Sequence, residues 1–440
     1  MKSNLLCSYH VINKPVAALI YIMAFASISI CAHSRIAGGQ PAYLLTDSVK
    51  YESFNGRVLD KNTMKPLVFA DIQIKESSIG VVTNSDGEFI IKVPENMLNS
   101  KLLINFLGYR NTEVDIARLN KNLNLIYLEA VPFPIDEVKV RKNDPEALLR
   151  AAIKNKSANY SINPVMMTSF YRETIKQNKS YVAVAEAVID IYKSPYTRTA
   201  ESDRSKIFKG RKSQDVKKMD TVIVKMQGGP YTSLLLDVVK NPGDILSEDL
   251  FELYDYKLEG VNYINDREAY VISFKQKEII TEPYYEGRIY LDLDNLAVTG
   301  LDFHLNTRNI EKATNFLVRK KPASMKIDVL GANYLTRYRQ LDGIWYLSYV
   351  RSELQLKCKW EKRLFSSNFT LMSEMAVTEM DQQNIDRLKF RDQTKYSDIL
   401  AEQVSQFEDP EYWGDYNIIK PDESIEQAIV RLNKRLKKQL

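Results

Sequence analysis

Two pairs of residues in this sequence are of types and spacings that could do chemistry. Asn84 and Asp86 alternate within VVTNSDGEFIIKVP, residues 81–94, where acidic and amide oxygens could ligate calcium. Asp292 and Asp294, in YLDLDN, are paired carboxylates of the kind that serve as acid and base in glycoside hydrolysis. Each pair also has a purely structural interpretation, and the elements that carry the residues decide between the two.

The stretch around Asn84 favours a hairpin turn over an ion site. Asp86-Gly87 accepts the positive φ angles that tight turns need, and residues 89–93 then alternate as in a half-buried strand. A calcium loop of the EF-hand kind would need a distal Glu, which does not follow before the strand begins. We therefore expect a structural turn with a positive φ at Gly87.

Turn and strand chemistry also account for the other candidates. Asp292 and Asp294 share one strand face, and the structural interpretation is a solvated face beside a turn, since an active site also needs a shaped cleft. His304 lies in the strand pattern LDFHLN, and Cys358 in LQLKCKW is expected to be a small buried hydrophobe. No catalytic, cofactor-binding or metal-ligating residue is assigned from the sequence.

The histidine count limits the enzyme classes. Metallocarboxypeptidases need two His and a Glu around zinc. His10 and His33 precede the predicted domains, so His304 is the only histidine within them, and this excludes such a centre there. Neither a G-x-S-x-G elbow nor a phosphate-binding glycine loop occurs. The prediction is a non-enzymatic protein that needs no cofactor, with a carboxylate-based hydrolase as an alternative.

The composition indicates a folded protein of two domains. A chain of 440 residues is too long for one ordinary core, and 45% of its residues are hydrophobic. The net charge of +5 is small beside 61 basic and 56 acidic residues, so no nucleic-acid partner is expected.

The N-terminus is typical of export. No acidic residue precedes Asp47, and residues 16–32 are apolar, which predicts a signal peptide at 1–32. A retained membrane anchor is the alternative. A lipoprotein attached through Cys31 is less favoured, because Ile30 stands where a small residue is expected. We expect a periplasmic or outer-membrane-associated protein whose mature chain has no transmembrane span.

After a flexible lead-in at 33–51, strand-like segments follow one another closely. Their alternating pattern and turn residues suggest a β-sandwich. Seven strands are predicted, at 54–59, 67–75, 79–83, 88–93, 101–106, 110–115 and 123–129.

This region resembles a known family. The segments GRVLD, PLVFADIQI, TNSDGEFIIKVP and INFLGYR occur in an order and spacing similar to the carboxypeptidase regulatory-like domain. The resemblance covers about residues 52–130 and implies a prealbumin-like seven-stranded β-sandwich, in which the T-x-x-D-G-x-F stretch is a strand–turn–strand element. Such domains accompany peptidases, transporters and many envelope proteins, so the resemblance alone does not imply an activity.

The rest of the chain is predicted to be mainly β. A linker and helix at 131–159 lead to an antiparallel domain at 160–400, and a C-terminal extension at 401–440 ends in an amphipathic helix. Within the domain, YVAVAEAVIDIY is a strand, PYTSLLLDVVKNPG a helix, and Asp342-Gly343 the turn of a long hairpin. Long paired strands with an inserted helix resemble the curved half-barrels of bacterial lipoprotein carriers.

Two apolar strand faces in this domain could make a core or a groove. We expect a filled core, with an open groove for an acyl chain as the alternative. The first face is Ile289, Leu291 and Leu293, and the second is Trp345, Leu347 and Tyr349.

The domain pairing and the ending EDPEYWGDYNIIKPDESIEQAI are similar to regulatory-like-domain proteins of Gram-negative envelopes. The resemblance implies a non-enzymatic exported protein that acts as an interaction or binding module. The expected partner is an envelope protein, a lipid or a polysaccharide. A glycan- or lipid-binding protein of the outer envelope is the closest alternative.

Overall fold

The structure is a computed structural model. It describes residues 20–22, 50–131, 144–214, 224–226, 228–264, 267–318, 323–361, 364–406 and 412–437. Most of the predicted signal peptide and lead-in, and residues 132–143 of the predicted linker, lie outside the described residues.

Twenty strands are described in these ranges. The first eight are β1 (Ile20–Ile22), β2 (Tyr51–Asp60), β3 (Asp71–Ile74), β4 (Gly80–Val82), β5 (Glu88–Pro94), β6 (Lys101–Asn105), β7 (Thr112–Asp115) and β8 (Leu123–Leu128). The others are β9 (Val165–Gln177), β10 (Ser180–Lys193), β11 (Arg204–Gln214), β12 (Val224–Met226), β13 (Tyr254–Ile264), β14 (Arg267–Gln276), β15 (Tyr285–Asp292), β16 (Val298–Leu305), β17 (Met325–Leu341), β18 (Ile344–Trp360), β19 (Ser367–Asp381) and β20 (Ser405–Gln406).

Helices are few and short in the described part of the chain. The α-helices are α1 (Pro145–Lys154), α2 (Lys156–Asn159), α3 (Gly229–Leu235), α4 (Ile310–Leu317), α5 (Leu400–Gln403) and α6 (Glu423–Lys437). Short 3₁₀ helices occur at Glu95–Met97, Ile116–Arg118, Glu248–Leu253 and Phe390–Asp392. Asp144 caps α1 by accepting a hydrogen bond from the Glu146 amide, as expected for an Asp that precedes Pro145.

The N-terminal region is a β-sandwich, as predicted. One sheet has the order β5-β2-β8 and the other β4-β3-β6-β7, and all seven predicted strands are present. Ile72, Ile91 and Ile104 are fully buried between the two sheets. The predicted strand at 67–75 begins only at Asp71, because Phe69 has a φ of +64° that breaks the extended conformation.

The second region is one large sheet. Ten antiparallel strands follow the order β13-β14-β15-β16-β17-β18-β19-β9-β10-β11, and β20 adds a short parallel edge. The mainly β class is confirmed. Strand β1 pairs antiparallel with β12 in a separate two-stranded sheet, so this part of the predicted signal segment contacts the second region.

The inner face of the large sheet is a filled core. Ile289, Leu291, Trp345 and Leu347 are fully buried there. The predicted filled core is confirmed at these residues, and an open acyl-chain groove is not found among them. Tyr349 was expected on the same face as Trp345 and Leu347, and this prediction is wrong.

A β-bulge explains the position of Tyr349. Arg337 pairs with Tyr349 and Tyr338 with Leu347, so Ser348 is an extra residue in β18. One inserted residue moves every later side chain to the opposite face. Tyr349 therefore lies on the outer face, in a cluster with Val82 of the sandwich.

A polar anchor holds the segment that follows α3 against the inner face. The buried Asp237 carboxylate accepts hydrogen bonds from Lys193 Nζ at 2.5 Å, Tyr196 Oη at 2.9 Å and Tyr338 Oη at 2.8 Å. These bonds satisfy a charge whose burial would otherwise be costly. The anchor thereby fixes the segment that completes the core.

The C-terminal extension covers the outer face. Trp413 and Ile419 pack in the same cluster as Tyr349, and α6 packs on Tyr181 and Val184 of β10. The described part of the extension is therefore packed into the fold.

The turn in TNSDGE is where the sandwich meets this extension. Asn84 Oδ1 accepts the amides of Asp86 and Glu88, and Gly87 has a φ of +74°, which confirms the predicted turn. Asp86 Oδ2 accepts the Glu423 amide at 3.0 Å, so it caps the start of α6. The oxygens proposed as calcium ligands are thus bonded within the protein.

The first prediction concerns Gly87. A Cβ at this position would lie 2.8 Å from the Val58 carbonyl oxygen, in addition to the positive φ. We expect Gly87→Val to lower the free energy of unfolding by about 1–3 kcal/mol. Urea denaturation measures this loss. Gly343→Val is the matched control, because Gly343 has a φ of +81° but a Cβ added there would meet no atom within 4 Å.

Gly343→Val should therefore cost less than Gly87→Val. Equal losses for the two variants would contradict the steric account. A calcium-induced rise in melting temperature that disappears in Asp86→Ala would instead establish an ion site.

Candidate functional site

A row of alternating charges crosses the outer face of the large sheet. Arg351, Glu374, Arg172, Glu186 and Arg211 are direct cross-strand neighbours on β18, β19, β9, β10 and β11. We call these five residues the charge ladder. Opposite charges in directly paired positions stabilise a sheet, and each glutamate here lies between two arginines.

The ladder is connected along its length and is buried except at Arg351, which is partly exposed. Arg172 is 1% exposed and donates to Glu186 at 2.8 Å, to Glu374 at 2.9 Å and to the Ile419 carbonyl at 2.6 Å. Arg211 donates to the second Glu186 oxygen at 3.0 Å. Burial alone would lower the pKa of Arg172, but the two carboxylates more than offset it, and the pKa is raised.

Aromatic rings cover both ends of the ladder. The Arg211 guanidinium lies 4.7 Å from the Trp413 ring, and that of Arg351 lies 4.9 Å from the Phe69 ring. Trp413 belongs to the C-terminal extension and Phe69 to the sandwich. Both added parts of the molecule are therefore held by cation–π contacts to the same row of charges.

A cleft opens where the ladder ends under the sandwich. It has a volume of about 470 Å³, within the range of small-ligand sites. The sandwich supplies one wall and strands β16, β17 and β18 supply the other. The lining includes Phe69, Asp71, Asn105, Phe106, Asp302, Arg337, Tyr349 and Arg351.

Phe69 enters the cleft from a strained backbone position. Its φ of +64° is uncommon for a bulky residue. Thr83 maintains this conformation, because its carbonyl accepts the Phe69 amide at 3.2 Å and its Oγ1 donates to the Leu67 carbonyl at 2.6 Å. The Phe69 ring stacks on Tyr349 with 5.4 Å between centroids.

The charges in the cleft are balanced. Arg337 pairs with Asp302 at 2.6 Å, and Arg351 pairs with Glu353 at 3.2 Å. Asp71 lies 3.6 Å from the buried Arg339. Burial raises the pKa of the Asp71 carboxyl, and Arg339 partly opposes the rise. These three ion pairs therefore present no net positive or negative charge to a ligand.

One residue that lines the cleft has a side-chain atom with no hydrogen-bond partner within the described residues. Asn105 is 6% exposed, and its side chain hydrogen-bonds to Asp71. Its Oδ1 makes no hydrogen bond in this part of the chain and is itself buried. A buried acceptor without a donor is costly, but this one does not face a ligand in the cleft.

Contacts on both sides keep the cleft open at a fixed width. The Gly108 amide donates to the Tyr263 carbonyl at 2.7 Å on one side. On the other side Ser78 Oγ donates to the Met380 carbonyl at 2.9 Å. The cleft is thus preformed, which lowers the entropic cost of binding.

The residues singled out from the sequence lie away from this cleft. Asp292 was expected on a solvated face but is 1% exposed, because Arg267 and the amides of Asp294 and Asn295 all bond to it. Its role in the turn is confirmed. Asp294 is exposed and shares Arg267 with Asp292.

His304 and Cys358 lie as expected. His304 is an exposed residue of β16, and its Nε2 is 3.8 Å from Glu286. Cys358 is fully buried, and burial raises the pKa of its thiol to about 12. Within the described ranges, no group of three or more His, Cys, Asp or Glu side chains is placed to hold a metal ion. No helix in those ranges is long and apolar enough to span a membrane.

Comparison with known proteins identifies the first domain. Residues 54–140 match the family described as CarboxypepD_reg-like domain, so the chain carries such a domain followed by a β-rich region. The domain predicted from the sequence is confirmed. No curated protein sequence matches the chain.

Solved structures are only distantly similar. A DUF1329 family protein from Desulfovibrio piger is 14% identical with a TM-score of 0.23, and the match covers 56% of this chain and 96% of that one. A putative outer membrane lipoprotein-sorting protein domain from Vibrio parahaemolyticus is 11% identical with a TM-score of 0.24, and the match covers 56% of this chain and 96% of that one. A LolA superfamily protein from Nitrosomonas europaea is 10% identical with a TM-score of 0.19, and the match covers 55% of this chain and 94% of that one. TM-scores this low support no inference about the function of this chain.

The second prediction concerns the charge ladder. Arg172→Met leaves Glu186 and Glu374 buried with one ladder arginine each, and we expect a loss of about 3–5 kcal/mol in the free energy of unfolding. Urea denaturation at neutral pH measures it. Arg351→Met is the matched control at the partly exposed end of the ladder and should cost less. A smaller loss for Arg172→Met than for Arg351→Met would contradict the account.

Proposed function

We propose that this chain is a non-enzymatic binding protein of a bacterial envelope, and that the cleft under the sandwich holds a neutral glycan. The observation that carries the proposal is the composition of the cleft, which combines stacked aromatic rings with paired charges. The envelope location is supported by the acid-free apolar N-terminus and by the regulatory-like domain.

Sugar rings have apolar faces and a rim of hydroxyl groups. Phe69 and Phe106, both partly exposed, offer apolar surface for the faces. Asp302 and Arg337 offer acceptors and donors for the hydroxyl groups. The cleft therefore matches the mixed character of a saccharide.

The balance of charge argues for a neutral ligand. Each cleft carboxylate has a cationic partner within 3.6 Å, so an acidic or basic ligand would break an existing ion pair to form a new one. A neutral ligand can hydrogen-bond to these pairs while they stay intact. An acyl chain would remove water from the same ion pairs and offer them no hydrogen bonds in return.

The third prediction tests this function by isothermal titration calorimetry. The full-length protein is titrated with neutral oligosaccharides, with acidic oligosaccharides and with a short-chain lysophospholipid. We expect binding of a neutral oligosaccharide, and a loss of affinity of about tenfold in Phe69→Ala because a stacked ring is removed. Phe208→Ala is the matched control, since Phe208 is an exposed aromatic of β11 outside the cleft.

Phe208→Ala should bind as the parent does. If only the lysophospholipid binds, the ligand is a lipid and the glycan proposal is wrong. Oligosaccharide binding that is unchanged in Phe69→Ala would place the site elsewhere and contradict the proposal.

A further inference from the structure

Two adjacent large apolar side chains, which we call the tip, are exposed just before β19 begins. Leu364 is 89% exposed and Phe365 is 82% exposed. Neither is needed by the core, because the adjoining strand residues Cys358 and Phe369 already face inward and are buried. Adjacent exposed residues of this size are unfavourable in water and are typical of contact with another apolar phase.

Basic residues surround the base of this tip. Lys326, Lys357, Lys359 and Lys179 are all exposed. Lys179 adjoins Asn178, whose amide donates to the Asn368 carbonyl at 2.7 Å and so joins the β9–β10 turn to the start of β19. The acidic residues of the same region are Asp328, which lies 3.7 Å from Lys326, and the exposed Glu361. Among the described residues of this region there are therefore four cations and two anions.

Two of these lysines are placed against each other. Lys326 on β17 and Lys359 on β18 are direct cross-strand partners. Like charges in this position destabilise a sheet, whereas the neighbouring pair Asp328 and Lys357 is complementary. An anionic surface in contact with both lysines would relieve the repulsion.

We propose that this tip docks the protein on an anionic membrane surface. Leu364 and Phe365 enter the boundary between headgroups and acyl chains, to a depth of about 5–10 Å. Lys359 lies five residues before Leu364 in the sequence, and in this arrangement it and its partner Lys326 contact the lipid phosphates. The combination of apolar tip and basic base fits a bilayer, because its interface has the same two layers.

A tryptophan placed at the tip tests the proposal in the full-length protein. The probe is a vesicle of phosphatidylcholine with about 30 mol% phosphatidylglycerol, at low salt. We expect the fluorescence of Phe365→Trp to shift to shorter wavelength when vesicles are added, and to be quenched by lipids with spin-labelled acyl chains. Phe390→Trp is the matched control, because Phe390 is 72% exposed but lies in the segment after β19, beside Arg204 at the opposite end of the sheet.

Because the reporter is at the tip, membrane binding by the N-terminal apolar segment cannot produce its signal. The double variant Lys357→Gln, Lys359→Gln should bind the vesicles about 30-fold more weakly, because each lysine near an anionic surface contributes about 1 kcal/mol to binding. Lys389→Gln, an exposed lysine next to Phe390, should leave it unchanged.

Three outcomes would overturn the proposal. In the first, Phe365→Trp responds no more than Phe390→Trp while the protein still sediments with vesicles. In the second, the Phe365→Trp response is the same with pure phosphatidylcholine and insensitive to salt, which shows that binding does not require an anionic surface. In the third, the shift appears without vesicles and grows with protein concentration, which makes a second copy of the chain the occupant of the tip.

Discussion

Burying a charge in a protein costs several kcal/mol unless its partners are in place. Five charged residues form one cross-strand row on the outer face of the large sheet, and Arg172 at its centre needs the Ile419 carbonyl as its third acceptor. That acceptor comes from the C-terminal extension, 247 residues further along the chain. The outer face is therefore complete only when the extension is docked on it.

The same requirement positions the sandwich. Phe69 covers the Arg351 end of the row, and the turn at Asp86 caps the helix that begins at Glu423. Sandwich, sheet and extension thus share their contacts, and each depends on the other two. The cleft is the space left between the sandwich and strands β16, β17 and β18 once these contacts are made. The hydrogen bonds from Gly108 to Tyr263 and from Ser78 to Met380 fix its width, so the site is preformed.

Much of the fold could be predicted from the sequence because its signals are local. Alternating apolar residues marked the seven sandwich strands, and Asp-Gly pairs marked the turns at Gly87 and Gly343, which both have positive φ. The start of β3 and the position of Tyr349 could not be predicted. A Phe at positive φ contradicts local preference, and the bulge at Ser348 leaves no mark in the alternation of residue types.

The site itself could not be predicted from the sequence. Arg172 and Glu374 are separated by 202 residues, and Asp86 and Glu423 by 337, so nothing in the local pattern joins them. Arg211 lies in a basic stretch that is typical of a solvated loop, yet it is a buried strand residue. Asp292 and Asp294 have a chemically suggestive spacing, whereas the cleft residues come from short segments that lie far apart in the sequence.

The proposed ligand binds between the sandwich and the sheet. Hydrogen–deuterium exchange, measured on the full-length protein with and without a saturating neutral oligosaccharide, detects binding at this place. Amide exchange should become slower at Val82 and in residues 68–71, 105–107, 299–302, 333–338 and 348–353, which line the cleft. Protection confined to other segments, or a ligand that binds without slowing exchange at these positions, would rule out a site in the cleft.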